Sequence, residues 1–240
     1  WTKSRALSSL ASSLAQAGYA DKATYCFNQA LIVAEGIVNN QGRSKNFSDL
    51  ALLFVQAGYA DKATYYFDLA MKEVEGIRDY WKRSKTFSSL ASLLAQAGYF
   101  DKARHCFDQA LRLTDEMWGD DGSEKSQALS LIASSLTQAT DLSNHQALFD
   151  QVLRAAKGIR NDDKKSRVFS SLASSLAQAG YYDKVKDCFN LIIRTGERIR
   201  DNLLESKTFS SLASSLALTG KFDQALRAVD EIITNNNERS

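Results

Sequence analysis

Ser84-Lys85-Thr86-Phe87-Ser88-Ser89-Leu90-Ala91-Ser92 returns unchanged from Ser206 to Ser214, and close variants begin at Ser4, Ser44, Ser126 and Ser166. The starts are 40, 40, 42, 40 and 40 residues apart, which gives six units. A period of this size marks stacked supersecondary units. Each unit carries two helical patterns. In the first, Leu7, Leu10, Ala11 and Leu14 fall at i, i+3, i+4 and i+7, the apolar stripe of an amphipathic helix. Gly18 ends that helix, as glycine does where the chain turns through left-handed angles. The second stripe is Ala23, Cys26, Phe27, Ala30, Ala34 and Ile37, with Asp21 at the positive end of the helix dipole. A polar link, Asn39 to Arg43, leads to the next unit. Neither helix buries its stripe alone, but both do when units stack.

Composition agrees with this reading. Apolar residues make up 44% of the 240 and charged residues 24%, as in a folded soluble chain. Proline is absent, which suits helices joined by short links. A formal charge of +2 is too near balance for a dedicated nucleic-acid binder. No apolar run approaches the ~20 residues that span a bilayer, so no membrane association is expected. Trp1-Thr2-Lys3 has no apolar stretch behind it, so no signal peptide is read. Three widely spaced cysteines argue for a reducing compartment, and the expected location is the cytoplasm.

Gly18-Tyr19-Ala20-Asp21-Lys22-Ala23, then Phe27 and Ala30-Leu31, resembles the tetratricopeptide repeat signature across the inter-helix turn and second helix. The spacing recurs at Gly58/Ala63/Phe67/Ala70, Gly98/Ala103/Phe107/Ala110 and Gly180/Val185/Phe189/Ile192, so the resemblance covers nearly the whole chain. It implies an all-α fold, an α-solenoid of six helix-turn-helix repeats in a right-handed superhelix, with residues 1–240 as a single array. Two features depart from the family. The period is mostly 40 rather than the usual 34 residues, with the extra length expected in the second helix and its link, as in the long repeats of kinesin light chain. Leu7 and Ala11 replace the first-helix tryptophan and glycine. HEAT repeats share a period of about 40 residues and are the alternative fold; the Gly-Tyr-x-Asp-Lys-Ala turn favours the tetratricopeptide kind. Trp1-Thr2-Lys3-Ser4-Arg5 reads like Trp81-Lys82-Arg83-Ser84-Lys85, and Glu238-Arg239-Ser240 like Lys82-Arg83-Ser84. The expectation is that the chain is an excerpt of a longer array.

The fourth unit is degenerate. Thr140 replaces the turn glycine, His145 stands where most units have alanine, and the preceding link, Trp118 to Lys125, is two residues longer than the others. The join between the third and fourth units is expected to be the weakest. Asp120-Asp121-Gly122 lacks the ligand pattern of a calcium loop.

Nothing points to catalysis, a metal or a cofactor. Cys26, Cys106 and Cys188 share one repeat position, filled elsewhere by Tyr66, Leu148 and Ala228, so it is a packing position. His105 and His145 lie in different units, and no nucleophile elbow, phosphate loop or dinucleotide fingerprint is present.

Opposite the apolar stripe, each first helix repeats a polar face. By the resemblance, first helices line the concave groove that holds ligands. Its first rung is Arg5, Lys45, Lys85, Gln127, Arg167 and Lys207; its last is Gln16, Gln56, Gln96, Gln138, Gln178 and Leu218. Ser12, Ser92, Ser134, Ser174 and Ser214 lie between, while Leu52, Leu53 and Leu93 interrupt the serine pattern as candidate apolar anchors. A basic residue in the first turn opposes the helix dipole, which asks for a compensating acid. That acid is either internal, such as Asp79 or Glu205, or belongs to an acidic peptide in the groove. The expected function is a protein-interaction scaffold, the recognition or regulatory segment of a larger intracellular signalling protein, with a protein or extended peptide as partner. The alternative is an RNA-binding helical-repeat array.

Overall fold

The computed structural model describes residues 2–117, 122–138 and 145–196. The described residues hold ten α-helices and no strand. They are α1 Thr2–Gln16, α2 Ala20–Glu35, α3 Asn40–Gln56, α4 Ala60–Glu75, α5 Tyr80–Gln96, α6 Phe100–Asp115, α7 Ser123–Gln138, α8 His145–Lys157, α9 Asp162–Gln178 and α10 Tyr182–Gly196. Five of the expected hairpins are therefore present. The sixth unit, Thr140 and the first half of the long link before the fourth unit lie outside the described residues.

The chain divides into two compact units, residues 1–110 and 111–240. In the first, α1 packs on α2 and α3 on α4, and the first helices α1, α3 and α5 lie side by side. In the second, α9 packs on both α10 and α7, and α8 touches α7 and α9.

The turn glycine does what its position requires. Gly58 has φ +79°, with Tyr59 N–H donating to the Phe54 carbonyl at 2.8 Å and Gly58 N–H to that of Val55 at 3.0 Å. This is a Schellman motif, and the usual apolar contact accompanies it: the Tyr59 ring packs edge-on against Phe54, centroids 6.2 Å apart. Gly18, Gly98 and Gly180 repeat the left-handed turn at φ +82 to +84°. The Gly-Tyr pair of the sequence is thus a helix stop and its clasp.

The same tyrosine is a receptor for the preceding repeat. Phe27 stacks on Phe54 at 4.0 Å and meets Tyr59 at 6.4 Å. Phe67 meets Tyr99 at 5.2 Å, and Phe149 meets Tyr181 at 6.0 Å. Phe27, Phe67 and Phe149 are at most 2% exposed, so each contributes roughly 1.5–3 kcal/mol of burial to the joint it occupies. In the first and third units the serine at the head of the repeat joins the two helices of the hairpin. Ser4 Oγ donates to the Ala30 carbonyl at 3.0 Å, and Ser84 Oγ to that of Ala110 at 2.9 Å.

The links differ from expectation. Asn39, Asp79 and Asn161 are N-caps whose side chains accept from the backbone N–H of Gly42, Lys82 and Lys164. The stretch from Asn40 to Arg43 is therefore helical, not a link. Gly42 is tolerated because it falls in the first turn, where its N–H needs the cap. The second repeat thus holds helices of 17 and 16 residues.

Candidate functional site

The exposed face of the first helices carries most of the expected ladder. On α3, Lys45 and Gln56 are exposed, with Asp49, Leu52 and Leu53 half-buried on the same stripe. On α5, Lys85, Ser89 and Gln96 are exposed and Leu93 is half-buried. Gln16 of α1, Gln127 of α7, and Arg167 and Gln178 of α9 are also exposed. The side chains of Arg5 and Gln138, and all of Lys207, lie outside the described residues. The serines between the rungs divide: Ser12 and Ser92 are buried, whereas Ser134 is exposed and Ser174 half-buried.

One expectation fails on geometry. Because the helices begin at their caps, Lys45 and Lys85 are the sixth residues of α3 and α5 and stand beyond the first turn. The helix dipole acts mainly within that turn, so these lysines carry no dipole penalty that asks for a compensating acid. The internal acid considered for Lys85 is also committed elsewhere. Asp79 caps α5 by accepting from Lys82 N–H at 2.8 Å, with its other oxygen 3.9 Å from Lys82 Nζ. Among the described residues neither Lys85 nor Arg167 pairs with a carboxylate. Lys85 instead lies over the Trp81 ring, Nζ 5.0 Å from the centroid. The sequence reading passed over Trp81 as a site residue, although its place one turn before Lys85 was a usable signal.

The second helices present a different surface. Two of their lysines are paired from one repeat to the next, Lys102 with Asp68 and Lys184 with Asp150 at 2.9 Å, while Lys22 and Lys62 lie over the Tyr19 and Tyr59 rings. Tyr25 and Tyr65 are exposed there, and His105 follows at the same repeat position.

The three cysteines are buried, as expected of a packing position. Burial pushes the Cys106 thiol up to about 12, and the Cys188 thiol likewise. Neither is a nucleophile at neutral pH, since the thiolate is the reactive form. Among the described residues, no three His, Cys, Asp or Glu side chains are grouped to hold a metal. No described helix is long and apolar enough to cross a membrane.

The PPR repeat model matches residues 85–115, 167–196 and 207–237, together less than half of the chain. No curated protein matches the sequence. Among solved structures, the fold is similar to that of Ton1535 from Thermococcus onnurineus NA1. The TM-score is 0.55 at 15% identity, over 95% of this chain and 77% of that one. TPR-like repeats of a Podosopora anserina kinesin light chain match at 14% identity over 82% of this chain and 97% of that one, TM-score 0.41. A Rap protein complexed with competence and sporulation factor matches at 16% identity over 99% and 77%, TM-score 0.40. At these identities the likeness concerns the fold alone.

Proposed function

We propose that this chain, with its TPR-like helical-repeat fold, is a binding scaffold whose first helices hold an extended, acidic segment of a partner protein. The observation that carries this reading is an exposed cation on a first helix of each compact unit taken by itself, Lys85 in the first and Arg167 in the second. Each is unpaired with any described carboxylate, and each is followed eleven residues on by an exposed glutamine, Gln96 or Gln178. That separation is about 16 Å along a helix. A cation and an amide at that distance, repeated by unit, suit a long flexible ligand better than a compact one. The glutamine amides offer donors and acceptors to a peptide backbone. Exposed ion pairs are worth only ~0.2–1 kcal/mol each, so the cations set on-rate and salt dependence while apolar contacts set affinity.

A second reading has one observation in its favour. Three segments match the PPR repeat model, and helical repeats of that kind read single-stranded RNA one base per repeat. The two are separated by titrating the intact chain with a labelled acidic peptide and with a single-stranded oligoribonucleotide. The scaffold reading expects the peptide to bind, and expects Lys45→Glu, Lys85→Glu and Arg167→Glu together to weaken both binding and its salt dependence. Tight binding of the oligoribonucleotide with no response to the peptide would establish the RNA reading instead.

A further inference from the structure

The exposed stripes of the first helices are not equivalent. Trp81 on α5, one turn before Lys85, has Gln41, Ser123 and Asp163 as its counterparts in the second, fourth and fifth units, and shares its identity with Trp1 of the first. At the other end of the stripe, Leu52 and Leu53 on α3 and Leu93 on α5 are half-buried at positions that the remaining described repeats fill with serine. The helices α3 and α5 lie side by side. Among the described repeats, leucine at these positions shares a stripe with an exposed lysine in the second and third.

We propose that α3 and α5 form the anchor of the binding face, and that its ligand is an extended peptide carrying an acidic side chain about four or five residues from an aliphatic or aromatic one. This rests on the peptide-binding reading above and specifies its ligand. Lys85 and Leu93 are eight residues apart, about 12 Å along the helix at its 1.5 Å rise. Measured obliquely from Lys45 across neighbouring axes ~8–10 Å apart, the separation from Leu93 is about 15 Å. An extended chain advances about 3.3 Å per residue, so these distances correspond to four or five residues. The acid sits between Lys45 and Lys85, and the apolar side chain enters among Leu52, Leu53 and Leu93. Trp81, about 6 Å beyond Lys85, covers the segment two residues past the acid and holds the Lys85 ammonium over its ring. A nucleic acid fits the patch less well. Its apolar end is aliphatic, Leu52, Leu53 and Leu93, and Trp81 offers one ring at the other end, where successive bases ask for several.

The test is selection of a displayed library of random peptides, about ten residues long, on the intact chain. Lys85→Glu and Leu93→Ser variants are carried in parallel and checked for unchanged helical circular dichroism. The expected result is enrichment of an acid and an apolar residue four or five apart. The enriched peptides should bind Lys85→Glu at least about fivefold more weakly, and Lys85→Glu should itself select a basic residue at the same spacing. Enriched peptides that ignore both variants but are lost on Arg167→Glu would overturn the anchor while leaving the peptide-binding reading standing. If no peptide is enriched, whether or not a single-stranded oligoribonucleotide is retained, the anchor and that reading fall together.

Discussion

Ser84 and Ser44 occupy the same repeat position and are equally buried, at 0% and 1% exposure, yet their hydroxyls fare differently. Ser84 Oγ donates to the Ala110 carbonyl at 2.9 Å, whereas Ser44 Oγ is buried without a hydrogen-bond partner. Ser84→Ala removes a bond with a net worth of about 0.5–1.5 kcal/mol. The Ala110 carbonyl is interior to α6 and keeps its own helical partner, so the loss falls in the lower half of that range. Ser44→Ala removes an unsatisfied polar atom whose burial costs about 1–3 kcal/mol, and trims too little volume to open a cavity. It is expected to be neutral or stabilising by about 1 kcal/mol, leaving the two variants some 1–2 kcal/mol apart. Urea unfolding followed by far-ultraviolet circular dichroism resolves such a difference at unchanged m value. Equal destabilisation by both substitutions would refute the argument that the hairpin joint is held by the hydroxyl rather than by the small size of serine.

Gly58→Ala meets no atom within 4 Å but must hold φ +79°, so it should cost about 1–2 kcal/mol from backbone strain alone, and Gly58→Asn less, as thermal melts will show. Phe54→Ala removes a ring lying between Phe27 at 4.0 Å and Tyr66 at 5.1 Å and should cost about 3–5 kcal/mol in the same melts. The Cys106 thiol is raised from 9.0 to about 12, so the folded chain retains a proton that the unfolded chain releases. Its contribution is fully present below about pH 9 and is lost as pH rises towards 12; Cys106→Ala should flatten this alkaline fall in stability. Lys102→Ala breaks a partly exposed pair with Asp68 and should cost no more than about 1 kcal/mol, falling further in high salt.

What the sequence made legible is what the repeat forces on every unit. The glycine at 18, 58, 98 and 180 has to be left-handed, the alanines and phenylalanines of the second helix have to be buried, and the cysteine position has to pack. Helix starts were less legible. Asn39 and Asp79 were usable cap signals, but the run from Asn39 to Arg43 was read as a polar link, whereas Gly42 N–H bonds the Asn39 side chain and the helix begins there. That misplacement moved Lys45 and Lys85 into a first turn they do not occupy. The pairing of Lys102 with Asp68 was hidden because its partners lie 34 residues apart, shorter than the repeat period and so outside a comparison of like positions. For the candidate site, periodicity located the exposed rungs. It could not rank them, because the tryptophan that meets Lys85 is not kept from unit to unit: Gln41, Ser123 and Asp163 hold its place in the second, fourth and fifth.

The central claim is that ligand lies on the first helices. A photo-cross-linking side chain placed in turn at Gln56, Gln96, Tyr65 and His105, all exposed, tests it directly with an acidic peptide that binds the intact chain. The account predicts adducts from Gln56 and Gln96, suppressed by Lys85→Glu, and none from Tyr65 or His105. Adducts confined to Tyr65 and His105 would place the working surface on the second helices and contradict it.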